Sequence, residues 1–291
     1  MSDFCLATAS TADLDREFLD SHGIPFISYS YLLDGTNYYD DCRYESRKNI
    51  FDAMRGGQMP STTQINEEEY YSFFCSLMEK GQDVLYLDMS RAISNSYNNA
   101  LAAESRIKKE YPDLKFHMVD TRCITGGLAF LVSNVLNKKE SGASFEECVE
   151  YAEQIKLSVV HHFTVENLKW LRKGGRLSNA SAVIGTLLNI KPILYVAEDG
   201  SLIASSKVRG RKTCIRTMLE NMKKDIGDID GKEVFITHGD CEDEAKSIAD
   251  EMKKLYPTLG DVKLLMLGPT IGAHVGPGFI GIFYFGTERT F

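Results

Sequence analysis

The sequence predicts an α/β protein of two domains: an N-terminal α/β domain (1–158) built on a parallel sheet, and a C-terminal α+β domain (159–291) with a mixed sheet. Two observations carry this. In the first half, short apolar runs alternate with longer amphipathic segments, the rhythm of strands joined by crossover helices. In the second half, adjacent apolar runs are joined by tight turns, and helices come between such pairs. A chain of 291 residues that is 43% apolar and 25% charged is also long enough for two packed units.

Each element has a local reason. Phe4–Ala7 is a short apolar strand, after which Ser10-Thr11-Ala12-Asp13 opens a helical stretch that stops near Gly23. Pro25–Leu33 reads as a strand that turns at Asp34-Gly35 into Asn37–Tyr39. Tyr44–Met54 is helical and closes at Gly56-Gly57. Pro60-Ser61-Thr62-Thr63-Gln64 has no period. Asn66 with Glu69 marks a helix start, and Gly81 marks its stop. Val84–Leu87 is a buried strand, followed beyond Ser90–Ser96 by a helix to about Glu110. Leu114–Val119 and a helix from about Thr125 repeat the unit, and Ser144 with Glu147 starts a helix running to about Leu157. In the second half Val159–Thr164 is β-branched and aromatic. Lys191–Val196 and Leu202–Lys207 form a hairpin around Glu198-Asp199-Gly200. Helices over about Arg211–Asp225 and Glu242–Leu255 separate strands at Val234–Thr237, Val262–Leu267 and Gly278–Phe285.

Composition excludes several functions. A net charge of −8 disfavours non-specific nucleic-acid binding, which depends on basic contacts to phosphate. Seven cysteines, none spaced as CxxC, argue against a disulfide scaffold or a zinc ribbon and for a reducing, cytoplasmic setting. No secretory signal is visible after Met1, and no apolar run approaches the roughly 18 residues that span a bilayer, so no stable membrane insertion is expected. GxxxxGK[ST], GxGxxG and GxSxG are all absent, which disfavours a nucleotide loop, a dinucleotide fold and a nucleophile elbow.

What remains is a set of hydroxyls where strands give way to helices: Ser10/Thr11, Ser61/Thr62/Thr63, Ser94/Ser96 and Thr125. In an open parallel sheet these loops share the carboxyl edge, where helix amino ends favour an anion. The alternative role for each is to cap its own helix. Among six histidines, His161 and His162 alternate along a strand and point to opposite faces. His238 lies in Thr237-His238-Gly239-Asp240-Cys241, where the expectation is that Asp240 caps a helix rather than that a metal is bound. His274 sits in the glycine-rich run Gly268–Gly278, read as a constrained loop, and is the better binding-site candidate. Basic residues concentrate at Lys169–Arg176 and Lys207–Arg216, where they serve either as solvated surface or as a local field for an anionic partner.

These segments, in this order, resemble the DegV family of fatty-acid-binding proteins. The matching pieces are Ser10-Thr11-Ala12-Asp13-Leu14, Pro60-Ser61-Thr62-Thr63-Gln64, Ser90-Arg91-Ala92-Ile93-Ser94-Asn95-Ser96-Tyr97 and Val119-Asp120-Thr121 with Gly126-Gly127. Leu171-Arg172-Lys173-Gly174-Gly175-Arg176-Leu177, Lys191-Pro192-Ile193-Leu194 and the run around His274 complete the set. Ala9 and Asn95 depart from the family, which often has Asp and Gly at these places. The resemblance implies one long-chain fatty acid held between the two domains, its carboxylate presented to a fatty acid kinase for acyl phosphate formation. It implies a carrier rather than an enzyme, with no metal and no cofactor. It further implies that Thr62, Ser94, Asn95 and His274 surround the carboxylate, that Arg209 and, secondarily, Arg176 form the rim facing the kinase or phosphate, and that Leu128–Val132 and Ile184–Ile190 are candidates for the tunnel wall. The alternative from another class is a serine hydrolase of acyl esters or thioesters, with Ser94 as nucleophile and His274 as base.

Overall fold

The computed structural model describes residues 4–176, 189–287 and 289. In chain order the elements are β1 (Cys5–Ala9), α1 (Arg16–Ser21), β2 (Phe26–Ile27), β3 (Ser30–Leu33), β4 (Thr36–Tyr39), α2 (Tyr44–Arg55), β5 (Ser61–Thr62), α3 (Glu67–Met78), β6 (Val84–Asp88), α4 (Ser96–Glu110), β7 (Phe116–Asp120), α5 (Gly126–Glu140) and α6 (Phe145–Ile155). They continue as β8 (Val159–Thr164), α7 (Lys169–Lys173), β9 (Ile190–Val196), β10 (Leu202–Arg209), α8 (Arg211–Asp225), β11 (Val234–His238), α9 (Glu242–Leu255), β12 (Val262–Met266), α10 (Pro269–Val275) and β13 (Ile280–Phe285).

The N-terminal sheet is parallel throughout, in the order β2-β1-β6-β7. The C-terminal sheet is mixed, in the order β10-β9-β8-β13-β11-β12, with β11 and β12 parallel and the other pairs antiparallel. A small antiparallel sheet, β4-β3-β5, stands apart from both and carries Thr62.

The expected fold class is the observed one. Helix α5 explains how the halves meet. It packs on β8, β11 and β13 of the large sheet and also reaches β6, and its residues from Gly126 to Ser133 are all buried. Period-two alternation sorts the side chains of β13. Phe283 faces α5 and the core shared with the parallel sheet, whereas Ile282 and Tyr284 face a second core under α8 and α9. His161 and His162 obey the same rule. His161 lies against α5, and His162 pairs with Asp225 of α8 at 3.1 Å. Leu128–Val132 are fully packed core and are not among the residues that line the cavity described below. The other expected wall segment lies outside the described residues up to 188.

Four local expectations change. The helical stretch after Ser10 breaks, because Asp13 takes φ 57° and Asp15 then caps α1 by accepting from the Phe18 N–H at 2.7 Å. The strand expected over Pro25–Leu33 divides into β2 and β3, which join different sheets. The glycine-rich run holds α10, a short helix started by Pro269, rather than a loop. Asp240 does not cap α9. Its carboxylate accepts from Arg55 of α2 at 2.8 Å, and it occupies φ 55°.

Candidate functional site

The carboxyl ends of β6 and β7 open into the loops at 89–95 and 121–125, and the small sheet and α10 lie across from them. Between these and the C-terminal half is a cavity of about 230 Å³. Tyr29, Thr62, Ser94, His274 and Arg176 form its polar lining together with Thr63, Gln64 and Thr270. Met89, Ile93, Ile124, Leu171, Leu202, Ile271 and Val275 make up the rest, all apolar.

His274 is positioned by its helix. Gly268 donates its N–H to Asp13 Oδ1 at 2.9 Å, and Thr270 donates to Asp40 Oδ2 at 3.3 Å, which ties the start of α10 to the N-terminal half. A Cβ at Gly268 would meet Asp13 Oδ1 at 2.6 Å, so the approach needs glycine. The buried guanidinium of Arg47 braces the same corner by donating to the carbonyls of Met266 at 2.6 Å and Leu14 at 2.7 Å. Burial, opposed by Arg47, raises the Asp13 carboxyl to about 7 and that of Asp40 to about 6.

The imidazole meets Thr62, with Oγ1 and Nε2 2.7 Å apart. Its Nδ1 has no hydrogen-bond partner among the described residues and lies over Gly174, where a Cβ would come within 2.1 Å. Burial, reinforced by the positive charge of Arg176, lowers the His274 pKa to about 4, so the ring is neutral at pH 7. In the tautomer with the proton on Nε2, the ring donates to Thr62 Oγ1 and the threonine hydroxyl is free to donate into the cavity.

Ser94 is 8% exposed, and its Oγ bonds to Ser96 Oγ at 3.1 Å. It does not bond to His274. Asn95 is exposed, in ordinary right-handed helical geometry at φ −73°, and lies outside the cavity lining. No glycine is therefore required at that position. Arg176, expected on the rim, is part of the lining, and its guanidinium also bonds the Gly174 carbonyl. Arg209 is exposed at the far end of β10 from Leu202. It is not among the residues that line the cavity. Ala9, Thr11 and Thr125 are buried outside the lining.

Comparison with known proteins places the fold. Residues 4–287 match the family described as uncharacterised protein, DegV family. The chain belongs to the DegV family. A DegV domain-containing protein of Clostridium perfringens is 34% identical over 290 residues, covering 99% of each chain. A DegV lipid-binding protein from Thermotoga maritima superposes with a TM-score of 0.85 at 28% identity, covering 99% of each chain. A fatty-acid-binding DegV family protein from Thermus thermophilus gives a TM-score of 0.87 at 26% identity, covering 98% of this chain and 99% of its own.

Within this DegV chain the hydrolase arrangement lacks its parts. His274 contacts Thr62 instead of Ser94, no carboxylate orients its Nδ1 among the described residues, and a base with a pKa near 4 is poorly matched to pH 7. Also among the described residues, no group of side chains is arranged to hold a metal ion, and no helix is long and apolar enough to cross a membrane. All seven cysteines are free.

Sequence reasoning missed Tyr29, Asp40 and Arg47. Asp13 stood inside a quoted motif without a role. Tyr29 carries no signal of its own, because its value comes from a break between β2 and β3 that the apolar pattern does not reveal.

Proposed function

We propose that this protein is a non-catalytic carrier of a long-chain fatty acid, with domains 1–158 and 159–291 closing on the tail. The carboxylate rests among Thr62, Ser94, His274 and Arg176. The observation that carries the reading is one cavity lined by apolar side chains together with the Thr62 and Ser94 hydroxyls, a neutral imidazole and a guanidinium, with no nucleophile–base–acid chain among the described residues. Burying about 16 carbons at ~0.8 kcal/mol per methylene is worth on the order of 12 kcal/mol before entropic costs. Each hydrogen bond to the carboxylate adds about 1.5–3 kcal/mol. The tail thus sets affinity and the polar end sets orientation. At about 230 Å³ the cavity is smaller than the roughly 300–1,000 Å³ of pockets that enclose drug-sized ligands. It holds the head and nearest methylenes, and the packing around Leu171, Leu202 and Val275 must part for the rest.

Organic extraction of the purified protein should release about one fatty acid per chain. In a series of added acids, each further methylene should tighten binding roughly fourfold until the walls no longer yield. An empty protein that takes up no long-chain acid overturns the reading.

The carrier presents its acid to a fatty acid kinase, and the exposed Arg209 belongs to the docking surface rather than to the cavity. Arg209→Ala should leave acid binding unchanged and slow kinase-dependent acyl phosphate formation several-fold. Loss of the bound acid with normal phosphorylation of the remainder would reverse that assignment.

A further inference from the structure

Behind the cavity lies a buried polar chain that the carrier reading does not use. Tyr29, which lines the cavity, has its hydroxyl 3.3 Å from that of Tyr70. Tyr70 in turn lies 2.9 Å from Asp88 Oδ2, while Asp88 Oδ1 accepts the Met89 N–H at 2.8 Å. On the cavity side the chain ends at the Tyr29 hydroxyl, beside a cavity that Ser94 also lines. Tyr29, Tyr70, Asp88, Ser94 and Ser96 are all buried. The chain therefore runs unbroken from a carboxyl in the core to a hydroxyl of a cavity-lining residue.

Such a chain has two polarities. When Asp88 is ionised it can only accept. Tyr70 then donates to Asp88 and Tyr29 donates to Tyr70, so the Tyr29 proton points away from the cavity. When Asp88 carries a proton every bond reverses. Asp88 donates to Tyr70, Tyr70 donates to Tyr29, and the last hydroxyl, that of Tyr29, is free to donate to an anion in the cavity.

We propose that Asp88, acting through Tyr70 and Tyr29, is a positioning residue that sets the hydrogen-bond polarity of the cavity head and couples carboxylate binding to uptake of a proton at a site the ligand never touches. The inference rests on the carrier reading and adds to it a pH dependence and a specificity for carboxylates.

The surroundings of Asp88 favour such a role. Burial raises its pKa to about 6, opposed by the bonds from Tyr70 and Met89, while Asp120, its register partner on β7, raises it further. Tyr70 on α3, Tyr86 on the same strand, Tyr29 before β3 and Tyr97 on α4 are the other titratable groups that face it. Arg91 is paired with Asp120, 3.6 Å away, and no cation bonds Asp88 among the described residues. Across the cavity His274, held near 4, stays neutral over the range in question.

The sign follows. Below pH 6 the relay already points its donor at the ligand. Above it, binding a carboxylate requires that Asp88 take up about one proton, so affinity falls as pH rises.

The test is the binding of decanoate, ionised throughout, and of decan-1-ol between pH 5.5 and 8. For the wild-type protein decanoate should weaken roughly tenfold or more across this range, the scale of one hydrogen bond to a charged group. In the upper half of the range its binding heat should vary with buffer ionisation, reporting proton uptake. Decan-1-ol, which can both donate and accept, should show a flat profile. Asp88→Asn keeps an acceptor for Met89 and turns a permanent N–H donor to Tyr70, so decanoate binding should be tight and flat to pH 8. Should Asp88→Asn not fold, Tyr70→Phe cuts the chain and should also remove the pH dependence. A wild-type slope retained in whichever of these variants folds overturns the relay while leaving the carrier reading in place. Failure of wild-type protein to bind decanoate at any pH overturns both.

Discussion

Replacing Arg176 by glutamine is expected to weaken binding of a long-chain fatty acid by roughly 10- to 100-fold while leaving the matching fatty alcohol unaffected. Arg176 is the one cation among the described residues that line the cavity, and the other polar groups there are neutral at pH 7. Charge selection therefore rests on it. Arg176→Lys should keep part of the affinity, because an ammonium supplies the charge without the planar fork. A second readout follows from His274, whose pKa is lowered first by burial and then by Arg176. In Arg176→Gln the imidazole should titrate higher than about 4, though still below its ordinary value. The linked effect on stability has a definite sign. Below the unfolded value near 6.5 the unfolded state binds a proton that folded His274 refuses, so stability falls as pH drops from about 6.5 toward 4. With Arg176 removed that fall should be shallower. NMR titration of the imidazole together with acid and alcohol binding checks all of this. Equal losses for acid and alcohol would show that Arg176 only holds the loop.

How much of this was legible depends on whether a signal is local. Capping boxes at Asn66/Glu69 and Ser144/Glu147 place α3 and α6 in the sequence, and both boxes form. The Glu198-Asp199-Gly200 turn places the β9–β10 hairpin for the same reason. Thr62 and His274 can be singled out as site residues, since hydroxyls and a lone imidazole in glycine-rich company are conspicuous. Their contact, across more than two hundred residues of sequence, is not legible. The role of α10 is hidden because its seven residues are stabilised by tertiary bonds to Asp13 and Asp40 rather than by helical periodicity. Gly174 illustrates the middle case. The doubled glycine in Leu171–Arg176 marks a special backbone, yet Gly175 alone uses a positive φ of 70°, while Gly174 is bare so that the His274 ring can lie on it. Pattern identifies the pair, and only packing separates the two reasons.

The same distinction governs Gly126-Gly127, where the largest effect on stability is expected. Both residues lie in the first turn of α5, the helix against which both sheets pack. Alanine would ordinarily strengthen a helix there by up to ~1 kcal/mol. A Cβ on Gly127, however, would stand 2.1 Å from His161 Nε2, and that ring cannot retreat, being set edge-on against Phe283 at 5.3 Å between centroids. It is further held by the Ile124 N–H, which donates to Nε2 at 3.3 Å. Overpacking of this kind costs about 1–3 kcal/mol and more where neighbours are rigid. Gly127→Ala should accordingly destabilise the protein by about 3 kcal/mol and lower Tm by roughly 6–10 °C. His161→Ala in the same chain should recover part of that loss, giving a coupling of about 1 kcal/mol or more in a double-mutant cycle. Acid binding should weaken in the single variant as well, since Ile124, a cavity-lining residue, is tied to the displaced ring. If Gly127→Ala melts with the wild-type protein, or if the two changes simply add, the helix does not meet the large sheet through this glycine, and the two halves are joined by some other seam.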